Sequence, residues 1–428
     1  MPSPSTSAVP APAGAVRRAR WAVGVLFFTN GALFANLLPR YPEIKEQLGL
    51  SNVEFGAAVA AFPLGALVAG LSAGFLIRRF RSSRVAIAAT LVASLGFVVA
   101  GGASVWAMLA AGLFIAGAMD AITDVAQNSH GLRVQRLYRR SILNSFHAVW
   151  SIGAVSGGIM GATLAQLGVS TLWHMVISAV VFGAAALLSY RWLLRGPEPV
   201  EPPEPVELAE TVPAPAPVAD AAGSPPPAAT PRPGRAGRAS VARFGVLLAL
   251  VVIAASGAVV EDAGASWSAI YLSDSLGATA FVASLGFVAL QGMQFIGRLL
   301  GDRMVDRFGQ RTVARAGGAV VAIGMGAALL LPTVPGTVIG FGLAGLGIAT
   351  LIPAAMHGAD SVPGLAPGSG LTIVSWLLRL GFLASPLIVG AVADISSLRL
   401  GLAIVPVVGL LVVIFARVLQ NRSSSRTE

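Results

Sequence analysis

Apolar segments about 20 residues long recur along most of this 428-residue chain, and most of them lack a polar face. A helix needs about 20 apolar residues to cross the hydrocarbon core of a bilayer, and one that is apolar all round must be buried in lipid or in protein. The chain is 55% hydrophobic and 11% charged, roughly half the charge of an average soluble domain. Its mean hydropathy is +0.78. A soluble protein with one very large core would need polar outer faces that these segments do not supply. The pattern predicts an all-α membrane protein with twelve spans, at 20–39, 54–77, 84–103, 105–129, 142–166, 171–193, 243–271, 279–301, 312–331, 335–357, 369–391 and 399–419.

The arginines set the orientation. Arg17, Arg18 and Arg20 precede span 1, and Arg78, Arg79, Arg81 and Arg84 lie between spans 2 and 3. Arg133, Arg136, Arg139 and Arg140 lie between spans 4 and 5, Arg303, Arg307 and Arg311 between spans 8 and 9, and Arg417 and Arg422 follow span 12. The alternate loops hold almost none, only Arg40 with Lys45 and Arg399. Basic residues stay on the cytoplasmic side, so both termini are expected there, in a plasma (inner) membrane. One loop, 358–368, dissents, carrying only Asp360. Residues 1–19 read as a disordered tail with no apolar signal-peptide core. Residues 20–195 and 241–420 read as two six-helix units and 421–428 as a short C-terminal tail. Between the units, residues 196–240 hold 13 of the 27 prolines, with acids from Glu198 to Glu210 and a basic end at Arg232, Arg235 and Arg238. Such a composition cannot bury a core and predicts a disordered cytoplasmic tether.

Several functions are excluded early. There is no cysteine, hence no disulfide, thiolate metal site or cysteine nucleophile. Lys45 is the only lysine and lacks the glycine frame of a phosphate-binding loop. No nucleophile–base pairing or metal-ligand spacing is present, so neither an enzyme nor a bound cofactor or metal is expected. The net charge of +10 belongs to the ends of apolar runs rather than to a nucleic-acid-binding stripe.

The two halves repeat one another. Gly153 and Gly381, Arg79-Phe80 and Arg307-Phe308, and Gly117 and Gly345 are each 228 apart, which argues for duplication of a six-helix unit. The stretch RLLGDRMVDRFGQR, 298–311, resembles the G-x-x-x-D-R-x-G-x-R/K loop of the major facilitator superfamily, with Asp306, Arg307, Gly309 and Arg311 on its second part and Gly301 one residue early. The first-half copy, GFLIRRFRSSR, has Arg78 where the acid belongs. NSFHAVWSIG (144–153) and EDAGASWSAIYL (261–272) look further like the fucose-permease-like branch that includes rhizopine-associated membrane proteins. The resemblance implies two six-helix bundles rocking around a central cavity. Spans 1, 4, 7 and 10 would line that cavity with help from 2, 5, 8 and 11, and spans 3, 6, 9 and 12 would face lipid. The 306–311 loop would act in gating.

Polar residues inside apolar spans are costly and normally face a bundle interior or water. They fall on the spans implied to line the cavity: Asn30, Asp120, Asp124, His147, Glu261, Asp262, Gln291, Gln294 and Arg379. Asp120 and Asp124 stand one helical turn apart on one face. Asp120, Asp124, Glu261 and His147 are the candidates for carrying a coupling proton. The acids' structural alternative is pairing with Arg133, Arg136 or Arg379. Asn30, Gln291, Gln294, Arg379, Trp150 and Trp376 are candidates for holding a substrate, Arg379 an anionic or polyhydroxy one. Trp267 reads as a belt aromatic at the outer interface. The glycines of 153–161 are similar to the signature of drug-exporting members but have Gly158 in place of its proline, and they also fit close helix packing. The expected function is secondary active transport of a small polar organic solute, sugar-like or an organic acid, by a monomer using the proton gradient. Export of drugs or natural products, and a non-transporting receptor or scaffold on the same fold, are the rival readings.

Overall fold

The structure is a computed structural model that describes residues 13–138, 140, 142–196, 233–362, 365 and 369–419. The proline-rich tether, apart from its two ends, most of both tails, Arg139 and most of the dissenting loop's second half lie outside the described residues. Within them, twelve helices are long and apolar enough to cross a membrane. Spans 1–6 are Gly14–Gln47, Asn52–Gly70, Ser82–Gly101, Trp106–Tyr138, Ser145–Gln166 and Thr171–Tyr190. Spans 7–12 are Arg243–Ser275, Ala280–Phe308, Gln310–Leu330, Val334–Asp360, Ser369–Ile395 and Leu398–Val418.

These spans form two six-helix bundles. In the first, span 4 packs on spans 2 and 3, and spans 1 and 6 close the ring with span 5. In the second, span 10 packs on spans 8 and 9, and span 7 touches spans 8, 10, 11 and 12. The bundles meet mainly where span 11 lies along span 2 and span 5 along span 8.

The 228-residue repeat holds in three dimensions. A Cβ on Gly117 would strike the Phe62 carbonyl, and one on Gly345 would strike the Leu290 carbonyl; 345 − 117 and 290 − 62 are both 228. The turns between spans 2 and 3 and between spans 8 and 9 match as well. Gly309 has φ 83°, ψ 153°, and Arg81, also 228 residues earlier, has φ 76°, ψ 144°. That backbone region is glycine territory, so the first half keeps the turn after losing the residue that favours it.

Small residues set how closely helices approach. Gly153, Gly157 and Gly161 form one face of span 5 and lie directly on the carbonyls of Phe28, Ala32 and Asn36 in span 1. This is the close-packing reading of that glycine run. Gly158 points the other way, toward Phe287 of span 8. Span 4 runs past its apolar segment to Tyr138 because tertiary contacts hold the polar extension. His130 is buried against Ser82 and accepts from the Leu194 N–H, and Tyr138 accepts a hydrogen bond from Arg20. Span 10 is interrupted at 349–350, where Pro353 cannot donate to the Ala349 carbonyl.

Candidate functional site

The polar residues of the spans converge between the bundles. A chamber of about 490 Å³ lies between the bundles, partway along the spans, with Asp120, Trp150, Glu261, Asp262, Gln291 and Arg379 in its wall. A vestibule of about 970 Å³ continues from it, lined among others by His147, Glu261, Gln294, Arg298, Asp302 and Asp306. Glu261, Ile352 and Met356 line both, so the two adjoin, and the vestibule lies toward the face that carries the 2–3 and 8–9 loops. Spans 3, 6 and 12 contribute nothing to either lining, and span 9 only its first residue, Gln310.

Asn30 organises the first bundle's side of the chamber. Its Nδ2 donates to Asp120 Oδ1 at 2.7 Å and its Oδ1 accepts from Trp150 Nε1 at 2.7 Å. One amide thereby ties spans 1, 4 and 5 together and aims the carboxylate. Asp124, a turn nearer the vestibule side, is exposed and accepts from Asn128 Nδ2 at 2.9 Å. His147 is exposed in the vestibule wall with Phe27 edge-on at 5.2 Å. Neither acid forms an ion pair within 4 Å with Arg133 or Arg379; Arg133 instead donates to the carbonyls of Arg195 and Gly196.

The second bundle supplies Glu261, which accepts from Gln294 Nε2 at 3.1 Å. Gln294 and Gln291 are each 2% exposed, and the Oε1 atom of each lacks a hydrogen-bond partner. Asp262 accepts from Ser266 at 3.3 Å and leaves Oδ2 unpartnered. Arg379 reaches across toward the first bundle, where a Cβ on Gly70 would lie 3.8 Å from its guanidinium. Trp376 falls elsewhere. It is 46% exposed and about 100° around the helix from the Ser375, Leu378, Arg379 and Phe382 face that lines the chamber. In the 306–311 loop, Asp306 lines the vestibule, Arg307 stacks over Phe308, and Arg311 donates to the Leu419 carbonyl at 3.0 Å.

Away from the vestibule the two bundles pack together. Tyr41, Phe55 and Trp267 stack edge to face from spans 1, 2 and 7, with centroids 5.2 Å and 5.4 Å apart. The belt position read for Trp267 is corrected here: it is fully buried, with Phe55 of span 2 edge-on to it, beside the point where Gly56 lets span 2 approach the Pro386 carbonyl of span 11. Two inter-bundle caps close the same side. Asp394, at the end of span 11, accepts from the backbone N–H groups of Asn52 and Val53 at 2.9 and 2.8 Å, and from Asn52 Nδ2 at 2.8 Å. Gln166, at the end of span 5, accepts from the Phe281 N–H that opens span 8, at 3.3 Å. The two caps are repeat images, since 394 − 166 and 281 − 53 are both 228. Lys45 and Asp274 lie 3.9 Å apart across the same seam. Arg40, read as a loop charge, is 1% exposed and donates to His174, Glu43 and the Val169 carbonyl.

Sequence reasoning missed these caps and most of the aromatic wall. A carboxamide or carboxylate at a span's end carries no mark of the helix it will cap. Arg298 and Asp302 were detectable as charges at the end of span 8 but read as part of the following loop. Among the described residues no cluster of three or more His, Asp or Glu is arranged to hold a metal ion.

The fold and its relatives agree. A transporter of undetermined role from Sinorhizobium fredii, y4wD, is 27% identical over 92% of this chain and 96% of its own length. Membrane protein MosC of Rhizobium meliloti is 27% identical over 91% of this chain and 88% of its own. Among solved structures, a bacterial homologue of the human lysosomal transporter Spinster, described as inward-facing and unoccupied, superposes with a TM-score of 0.71. It covers 96% of this chain and 98% of that one, at 13% identity. The sequence profile of the Major Facilitator Superfamily matches residues 23–260 and 246–428, and the chain belongs to that superfamily.

Proposed function

We propose that the chain is a secondary active transporter that moves a small polar organic solute across the plasma membrane by alternating access, coupled to protons, with both termini in the cytoplasm. The observation that carries this reading is the pair of adjoining cavities leading from Asp120, Glu261 and Arg379 toward the arginine-rich face, with Tyr41, Phe55 and Trp267 packed together on the opposite side. With arginines on the cytoplasmic side, this is the inward-open half of a transport cycle. Coupling is assigned to carboxylates from both bundles, Asp120 with Asp124 and Glu261, and His147 lies where a proton would leave toward the vestibule. The protein works as a monomer without cofactor or catalytic chemistry, and the proline-rich segment tethers the bundles.

Proteoliposomes with an imposed pH gradient test the reading. Solute flux that rises with the gradient and becomes gradient-independent in Glu261→Gln is the expected result. An absence of gradient-driven flux across a broad solute panel would favour the scaffold reading instead. Export has one specific support: a 148-residue segment, 35% of this chain, is 26% identical to the enterobactin exporter EntS of Escherichia coli. Counterflow from preloaded vesicles decides the direction.

A further inference from the structure

We infer that the solute is an organic cation, a protonated amine or quaternary ammonium, seated in the chamber between the bundles. The inference rests on the transporter reading and narrows its substrate class. The chamber wall holds three carboxylates, Asp120, Glu261 and Asp262, against one guanidinium, Arg379. Let one carboxylate carry the coupling proton and let Arg379 offset a second. The third still faces the solute uncompensated. An anion would meet that charge with a single cation to hold it, whereas a cation meets the opposite balance. Arg298 and His147 line the adjoining vestibule, in a wall that also holds Asp302 and Asp306.

Hydrogen-bond accounting points the same way. Buried oxygens without partners are Gln291 Oε1 and Asp262 Oδ2 on the chamber wall, and Gln294 Oε1 and Gln310 Oε1 on the vestibule wall. The Gln294 amide is fixed in orientation because its Nε2 donates to a Glu261 carboxylate, which can only accept when ionised. Unpartnered buried acceptors cost free energy until a donor reaches them. A solute bearing N–H or O–H groups satisfies them, and a carboxylate or phosphate does not. The remaining wall is aromatic. Phe34 and Phe62 lie 5.3 Å apart, and Phe287, Phe382 and Trp150 complete the lining. Ring faces attract ammonium groups, more strongly where water is excluded.

The chain contains no cysteine, so one introduced thiol reports on one place. Ser375 lines the chamber, and Leu167 is exposed on the sealed side. The purified full-length Ser375→Cys and Leu167→Cys proteins would be reacted with two thiol reagents of similar size. One is cationic, 2-(trimethylammonium)ethyl methanethiosulfonate, and the other anionic, 2-sulfonatoethyl methanethiosulfonate. The cation-to-anion rate ratio at Ser375→Cys is expected to exceed that at Leu167→Cys by roughly tenfold or more, the scale of charge focusing in a lined cleft. It should fall toward the reference when Glu261→Gln or Asp262→Asn is added. Equal ratios at the two sites, or an anion preference in the chamber, would overturn the inference while leaving transport standing. No reaction of Ser375→Cys with either reagent would overturn the hydrated path itself, and both readings with it. The Ser375→Cys ratio decides the matter even where an acid variant fails to fold.

Discussion

At the scale of single residues, the first bundle depends on one amide. Asn30 is 9% exposed, and its two hydrogen bonds join Asp120 to Trp150. Asn30→Leu removes both, strands a tryptophan N–H and leaves a carboxylate without its donor. Each buried group left unpaired costs about 1–3 kcal/mol. The melting midpoint of the purified protein should drop accordingly, and an unchanged midpoint would show that water replaces the amide at no cost. A gain is available at Arg81, an exposed residue held at φ 76°. A side chain there costs about 1–3 kcal/mol that glycine avoids, and Gly309 occupies the equivalent turn. Arg81→Gly should therefore raise the melting midpoint, whereas Gly309→Arg should lower it. Opposite signs at repeat-related positions would tie the effect to the backbone and not to the lost charge.

At the scale of elements, the seam between the bundles is held by helix ends. Asp394 places a carboxylate on the N-terminus of span 2, where backbone N–H groups and the helix dipole both favour negative charge, and it takes three hydrogen bonds there. Gln166 does the same for span 8 with a neutral group and one longer bond. Hydrogen bonds to charged groups are worth about 1.5–3 kcal/mol and neutral ones about 0.5–1.5, so the span 2–span 11 cap is the stronger latch. These contacts cannot survive opening of the sealed side. Spin labels at Val105→Cys and Leu331→Cys, on exposed loops of the two bundles on that side, measure the opening. Asp394→Ala should add a longer-distance population, Gln166→Ala a smaller one, and an unchanged distribution in Asp394→Ala would remove the latch from the account. Within the first bundle, Gly157→Val places a branched side chain on the Ala32 backbone. Overpacking of this kind costs about 1–3 kcal/mol and should appear as a lower yield of folded protein.

At the scale of the whole molecule, the spans were legible because each is a local property, a run of apolar residues as long as the bilayer is thick. The duplication was legible because a constant offset survives where individual matches are weak. Polar members of the site stood out for a related reason, being rare and expensive inside such runs. Their partners were not legible. Asn30 meets residues 90 and 120 positions away, and Asp394 meets Asn52 across 342, contacts created only by packing. Trp267 shows the same limit, since tryptophan is common at bilayer interfaces and only packing against Phe55 of span 2 places it in the interior. Charge distribution, by contrast, acts on the chain as a whole and yields a prediction without any contact. Arg78, Arg79, Arg81 and Arg84 stand on the same face as Arg303, Arg307 and Arg311, and the vestibule opens there. If that face is cytoplasmic, a green fluorescent protein joined after Glu428 should fluoresce and an alkaline phosphatase joined there should be inactive. The reverse pattern would turn the path into an outward-open one. The Asp394 and Gln166 caps would then close the cytoplasmic side, and the direction assigned to every step of the cycle would invert.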